Sequence, residues 1–446
     1  MADSAAPAAT MRLPRVFVYQ NDALHRYLNR TSEKERLNWA FGERMGNGYW
    51  ATGIWSMGNI LLRHVLYTRP ELLTADARFA DLLIVPLVPE SGNYGFIENP
   101  NQGDGRDPAH ALVRPLCEML WNQDLEQVYD HLSERTAAKH AFVVLDFNPI
   151  WAICQISGFG GRAPRSMRVI ERSIMIPHED FVRPRHAPGF FTGYRVWTGQ
   201  RRATLSVNAP FPSAIHSARK LREVLTGEGR PYLMAFAGSL RGGPEGAALR
   251  AGIDRQCARM GEPTCKRLDF AGGVDLGGST IAQTYRLYRQ SVFCLSPGGF
   301  NIIRKGVIDA LMNGCVPVLF LRVEEVRQLW PWHWWWWRAN SSVLVEPRAF
   351  IRGEVDLAAT LAPSSRYSPM RVAAMQQTLA AHMHSLCYMQ GRSHQGDDAT
   401  DILLRGLAFG LPGDEESSAA AGRSSTASPM FPPIGRPDAR LDEVLG

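Results

Sequence analysis

Apolar residues in this chain fall into short solid runs closed by glycine or proline, and after several of these runs the apolar spacing turns helical. The clearest case lies in residues 291–320. Val292, Phe293, Cys294 and Leu295 make a run of β-branched and aromatic type, which predicts a buried strand. Pro297, Gly298 and Gly299 break it with a backbone free to take positive φ. From about residue 303 the apolar positions pair at helical spacing, Val307 with Leu311 and Ile308 with Met312, and Asn313-Gly314 is a helix stop. Val316 to Phe320 is a second apolar run. Strand, glycine turn, helix and strand in about 30 residues is the size of one βαβ unit, and its turn offers N–H groups and a positive helix end that suit a phosphate.

The same pattern recurs along the chain. Strands are predicted at 15–19, 79–86, 140–147 and 172–178, with helices over 55–67 and 115–132 and a Gly/Asn/Asp-rich loop at 91–108. A second strand–turn–helix begins at 232–237, turns at Gly238, Ser239, Leu240, Arg241, Gly242 and Gly243, and continues as a helix over 247–260. A long helix is expected over 370–390. Alternating strands and helices predict parallel sheets in two α/β domains. The boundaries read 12–225 and 226–411, with 1–11 and the Ser/Ala/Gly/Pro-rich 412–446 disordered. Ligands in such sheets sit beyond the carboxyl ends of the strands.

Composition narrows the function. A formal charge of +6 in 446 residues, without a Lys/Arg block, suits small anions better than nucleic acid. Seven irregularly spaced cysteines, none in a Cys-x-x-Cys, indicate neither a zinc site nor a disulfide framework, and Cys294 and Cys315 read as buried free thiols. No apolar stretch is long enough to cross a membrane, and residues 1–10 lack a signal-peptide pattern. Gly-x-Gly-x-x-Gly after a strand and the P-loop pattern are both missing, which argues against a dinucleotide oxidoreductase and a P-loop NTPase.

Phe293-Cys294, Pro297, Gly299, Asp309-Ala310 and Gly314-Cys315-Val316-Pro317-Val318 form an ordered set that resembles the exostosin-like glycosyltransferases. The strands at 15–19 and 79–86, the segment at 236–241 and the strand ending at Asp146 are similar to further family motifs, so the resemblance runs from about residue 15 to 390. It implies the GT-B arrangement, two Rossmann-like domains facing across a cleft, with the acceptor side N-terminal and the donor side C-terminal. It also implies inverting transfer of a sugar from a nucleoside-diphosphate sugar to a glycan or glycoprotein hydroxyl. The location implied is the Golgi, with membrane contact only if an N-terminal anchor is missing from this chain. No permanently bound cofactor is implied and no motif requires a metal, since Asp-x-Asp is missing.

On this resemblance the donor-binding candidates are Gly238, Ser239, Arg241, Arg250, Pro297, Gly298, Gly299, Asn301, Arg304, Lys305 and Asp309. Arg241 could grip a diphosphate bidentately. Arg250 is either a second such group or a surface helix residue. Gly298 and Gly299 make either a tight turn alone or a turn that also holds a diphosphate. Arg304 and Lys305 at a helix start oppose the helix dipole unless an anion is bound. Asp309 either accepts ribose hydroxyls or only pairs with Lys305 at i,i+4 on the surface. Asp146 is either the catalytic base or only a turn-capping carboxylate. Family positions differ at Leu145, Asn301 and Gly306, which leaves open a catalytically inactive or accessory binding protein of the same fold. Trp330, Trp332, Trp334, Trp335, Trp336 and Trp337, half of the twelve tryptophans, are expected to form a helix with several rings exposed. They would serve as a stacking or partner surface or as a hydrophobic plug.

Overall fold

The computed structural model describes, apart from short gaps, residues 12–86, 129–143, 209–270 and 278–409, together with 174–176 and 205–206. Asp146, Arg241, Asn301, Leu145, most of 115–132 and the tail 412–446 lie outside the described residues.

Among the described residues, ten strands form two five-stranded sheets, both parallel in every pairing. The first contains β1 (Val16–Val18), β2 (Leu82–Pro86), β3 (His140–Val143), β4 (Ile174–Ile176) and β5 (Leu205–Ser206), in that order across the sheet. The second contains β6 (Tyr232–Ala237), β7 (Cys265–Leu268), β8 (Ser291–Pro297), β9 (Val316–Phe320) and β10 (Val343–Val345), in the order β10-β9-β8-β6-β7. The central strands β2 and β9 are buried at every residue, as solid apolar runs in a parallel sheet should be. Strands β5, β7 and β10 were not evident in the sequence.

Helices alternate with the strands. They are α1 (Glu33–Phe41), α2 (Met57–Arg63), α3 (Ala218–Leu225), α4 (Pro244–Met260), α5 (Gly278–Arg289), α6 (Lys305–Met312), α7 (Val323–Val326), α8 (Pro347–Ile351), α9 (Leu357–Leu361), α10 (Pro369–His382) and α11 (Ala399–Phe409). Local chemistry sets several ends. Ser32 and Glu35 close a reciprocal capping box on α1. α6 stops at Asn313, with Gly314 at φ 65°, as its sequence predicts. The long helix expected over 370–390 is shorter, because after His382 the chain tightens into a 3₁₀ turn at Met383–Leu386.

Each sheet has its own apolar core, and several segments cross between them. Helix α11 follows the second sheet in sequence but packs Ala399, Leu403, Leu404 and Leu407 into the core of the first. The tryptophan stretch is another crossing. Trp330, Trp334 and Trp337 lie in the second core, and Trp332 lies in the first. Gly406 of α11 receives Trp332 so closely that a Cβ there would stand 2.1 Å from its Cε3. The expected exposed aromatic helix is therefore corrected. The segment is a series of turns leading into Arg338–Asn340, Trp334 is fully buried, and only Trp336 is exposed, at 51%. Buried indole N–H groups usually find an acceptor, and two of the buried ones here do. Trp334 Nε1 donates to Ser341 Oγ at 3.0 Å, and Trp337 Nε1 to the His333 carbonyl at 2.9 Å.

The cysteine expectation is also corrected. Cys294 and Cys315 form a disulfide that ties β8 to the end of α6, and Cys257 and Cys265 form another between α4 and β7. Cys387 is free and buried. Neighbouring strands and helices brought these residues together, and their spacing carried no pairing signal.

Candidate donor site at the paired glycine turns

In the second sheet the chain leaves β6 for the edge strand β7, then returns past β6 to β8 and continues outward to β9 and β10. The carboxyl ends of β6 and β8 are thus the point where strand order reverses, and a crevice is expected there in an open α/β sheet. Gly238 and Ser239 follow β6, and Gly298 and Gly299 follow Pro297 at the end of β8. The two glycine-bearing turns picked out from sequence are therefore neighbours.

Helix α4 holds these turns together. Its Gly246 sits so near the second turn that a Cβ would come within 2.7 Å of the Gly299 carbonyl oxygen. One helical turn on, Arg250 is 5% exposed. Its Nη1 donates to the Ser239 carbonyl at 2.6 Å, and its Nε to the Gly298 carbonyl at 3.1 Å. A surface position for Arg250 is ruled out, and two of its donors go to backbone rather than to open space. Arg304 approaches the same turn: its Nη1 lies 2.6 Å from where a Gly299 Cβ would be. Burial, together with the nearby Arg304 charge, lowers the Arg250 guanidinium to about 10. Two cations against one glycine turn, beside the start of α6, form an environment that favours an anion.

The other candidates separate. Gly238 spends its N–H on the Leu268 carbonyl at 3.1 Å, so that amide completes the sheet. Pro297 closes β8 opposite Phe320. Lys305 and Asp309 do pair at i,i+4, with Nζ 2.7 and 2.9 Å from the two carboxylate oxygens, but the pair is not a surface one: Asp309 is 8% exposed. Asp309 Oδ1 also accepts from Tyr285 Oη at 2.6 Å, and Tyr285 Oη accepts the Ala214 N–H at 2.7 Å. Burial and then the Asp309 charge push the Tyr285 phenol well up, so it stays a donor. Sequence reasoning missed Tyr285 and Gly246. Gly246 stands four residues before Arg250 on one helix face, a signal that acquires meaning only once β6 and β8 are known to be adjacent.

Among the described residues, one group has the composition of a metal site: His64, Asp398 and Asp401, with potential ligand atoms within 4.8 Å of one another. Its oxygens are already engaged. Asp398 accepts the N–H groups of Met389, Thr400 and Asp401. Asp401 faces His64 Nε2 at 3.0 Å and accepts Arg69 Nη2 at 2.7 Å. Burial raises the Asp398 carboxyl. It acts the same way on Asp401, but the His64 and Arg69 hydrogen bonds outweigh it and lower that group. This is a polar knot joining the α2 region to α11, built from residues other than those of the glycine turns.

The probable xyloglucan galactosyltransferase GT13 of Arabidopsis thaliana is 29% identical over 159 residues, 34% of this chain and 33% of that protein. The xyloglucan-specific galacturonosyltransferase 1 of the same plant is 37% identical over 123 residues, 27% of this chain and 17% of that protein. The xyloglucan galactosyltransferase MUR3, also of Arabidopsis thaliana, is 28% identical over 142 residues, 30% and 22% of the two chains. The chain spans less than half the length of these relatives. The exostosin GT47 domain matches residues 11–333. That stretch is most of the sequence and includes both glycine turns, and the chain belongs to the exostosin GT47 family.

Proposed function

We infer that this protein is a glycosyltransferase that seats the diphosphate of a nucleotide-sugar donor at the carboxyl ends of β6 and β8. The observation that carries this reading is the convergence of the Gly238-Ser239 and Gly298-Gly299 turns, the start of α6, Arg304 and buried Arg250 at the strand-order reversal. A departing diphosphate gathers negative charge, and fixed cations and amides aimed at that position stabilise it without reorganising. Lys305, held by Asp309, adds a third cation at the start of α6. Arg241 and Asn301, outside the described residues, remain donor-binding candidates on the family resemblance. Asp309 keeps Oδ2 with Lys305 as its one described partner, so that atom is the better placed to accept a ribose hydroxyl.

The relatives' names point to a plant-type wall glucan as acceptor and a hexose or hexuronic acid as the sugar. Transfer is then one inverting displacement, with Asp146 as the base that takes the acceptor proton. Residues 12–225 would supply the acceptor side and 226–411 the donor side across a shared cleft. The two disulfides suit an oxidising lumen, in keeping with the Golgi. The test is incubation of the full chain with a panel of UDP- and GDP-sugars and xyloglucan oligosaccharides. Nucleoside diphosphate released in step with a heavier oligosaccharide supports the reading. Failure of every donor to turn over or be hydrolysed, in a folded protein, contradicts it.

A further inference from the structure

Arg250 does not sit where a ligand-gripping arginine sits, although two arginines near one glycine turn invite that role for both. Its guanidinium is buried, packs near the Phe236 ring at 5.9 Å, and reaches across from α4 to two different turns. It donates to Ser239 O and to Gly298 O, one carbonyl on each side of the strand-order reversal. A trans peptide unit is planar, with its C=O and the following N–H pointing in opposite directions. A carbonyl drawn onto Arg250 therefore turns the next amide away from it. The two amides so turned are Leu240 N–H and Gly299 N–H.

We propose that Arg250 is a positioning residue: by holding the Ser239 and Gly298 carbonyls it aims the Leu240 and Gly299 amides at the anion bound between the turns. The proposal rests on the donor-site reading above and assigns the diphosphate two backbone donors in addition to Arg304. It also accounts for Gly246, since only a residue without a side chain lets α4 come close enough to the Gly298-Gly299 turn for Arg250, one helical turn on, to reach both carbonyls. Two amides presented from separate turns make a concave donor pair of the kind that cradles phosphate. A direct ligand would act only when the diphosphate is present. A positioning residue shapes both turns before it arrives.

That difference in timing sets the experiment. Hydrogen exchange at the peptides covering Leu240 and Gly299 is followed in the ligand-free full chain for wild type, Arg250→Met and Arg250→Lys. UDP, GDP, uridine and guanosine are titrated into each. The proposal expects both turns to exchange faster in the ligand-free variants, with Lys, which keeps the charge but has a single donor nitrogen for two carbonyls, intermediate. It expects nucleoside diphosphate affinity to fall about tenfold to hundredfold while nucleoside affinity holds. Exchange at both turns equal to wild type overturns the positioning role, and with a loss of affinity makes Arg250 a direct ligand. Faster exchange with unchanged diphosphate affinity overturns it as well, because the amides then serve no anion. If Arg250→Met fails to fold, Arg250→Lys carries the same comparison. Wild type that binds neither diphosphate sinks the donor-site reading itself.

Discussion

Among the described residues the two sheets have the same number of strands, all parallel, and differ in how the chain moves across them. In the first, each new strand is laid down beside the last, from β1 to β5. In the second, the chain steps out to β7 and returns to the other side of β6. Only this return leaves two adjacent strand ends whose connections run opposite ways. There the sheet gathers its glycine turns, Arg250, Arg304 and Lys305. The described parts of the first sheet instead carry packing and polar knots, such as Tyr19 Oη with His140 Nε2 at 2.8 Å. Strand content alone does not make a site. The proposed site falls where the strand order reverses, and the first sheet with its crossing segments packs as frame.

If that division holds, acid should strike the frame hardest. Burial lowers His140 to about 4, His216 to about 3 and His333 to about 4. These imidazoles are neutral when folded and take up protons on unfolding near an ordinary pKa of about 6.5. The unfolded state binds more protons between these values, so stability rises with pH through that window and is lost as pH falls from about 6.5 towards 3. The sum is on the order of several kcal/mol. Denaturant titrations at stepped pH should show it, and flat stability from pH 6.5 to 4 would refute the buried-neutral assignment.

Substitution separates frame from site next. Trp334→Ala empties a fully buried position and should cost about 3–5 kcal/mol, whereas Trp336→Ala, at an exposed ring, should stay within about 0.5 kcal/mol. Equal small effects on stability, with loss of glycan binding, would restore the tryptophans to a ligand surface. Cys315→Ser, which opens the 21-residue link to Cys294, should cost about 2–4 kcal/mol by the same denaturation measurement. Reductant should then destabilise the protein comparably, since both described disulfides lie around the second sheet.

Two glycines sharpen the contrast further. Gly406→Ala drives a methyl into Trp332 and should cost about 1–3 kcal/mol. Gly299→Ala meets the mobile end of Arg304, so its effect should appear in diphosphate binding and hardly in melting temperature. Tyr285→Phe should cost about 1–2 kcal/mol, since Asp309 keeps both contacts to Lys305. Titration of donor diphosphate into this variant would show whether α6 needs that hydroxyl to hold the Lys305-Asp309 pair.

What was legible in the sequence was local. The β8–α6–β9 unit followed from apolar spacing, Pro297 to Gly299 and Asn313-Gly314. The Lys305-Asp309 pair followed from its i,i+4 spacing, though not its burial. What was not legible depended on neighbours distant in the chain. Composition makes the tryptophan stretch apolar enough for a core or a surface alike, and packing into both cores, with Gly406 of α11 receiving Trp332, closes it in. Arg250 reads as one helix residue among several until β6 and β8 lie side by side. The disulfides were hidden for the same reason, because their partners meet through strand and helix packing.

The claim that the strand-order reversal of the second sheet is the donor seat is tested most directly by calorimetric titration of UDP and GDP, beside uridine and guanosine, into wild type and Gly299→Val. The account predicts that wild type binds one of the diphosphates at least about tenfold more tightly than its nucleoside. It further predicts that Gly299→Val, by displacing Arg304 from the turn, removes most of that preference with the fold intact. A folded Gly299→Val protein that binds the diphosphate as tightly as wild type would place the donor elsewhere in the molecule and contradict the account.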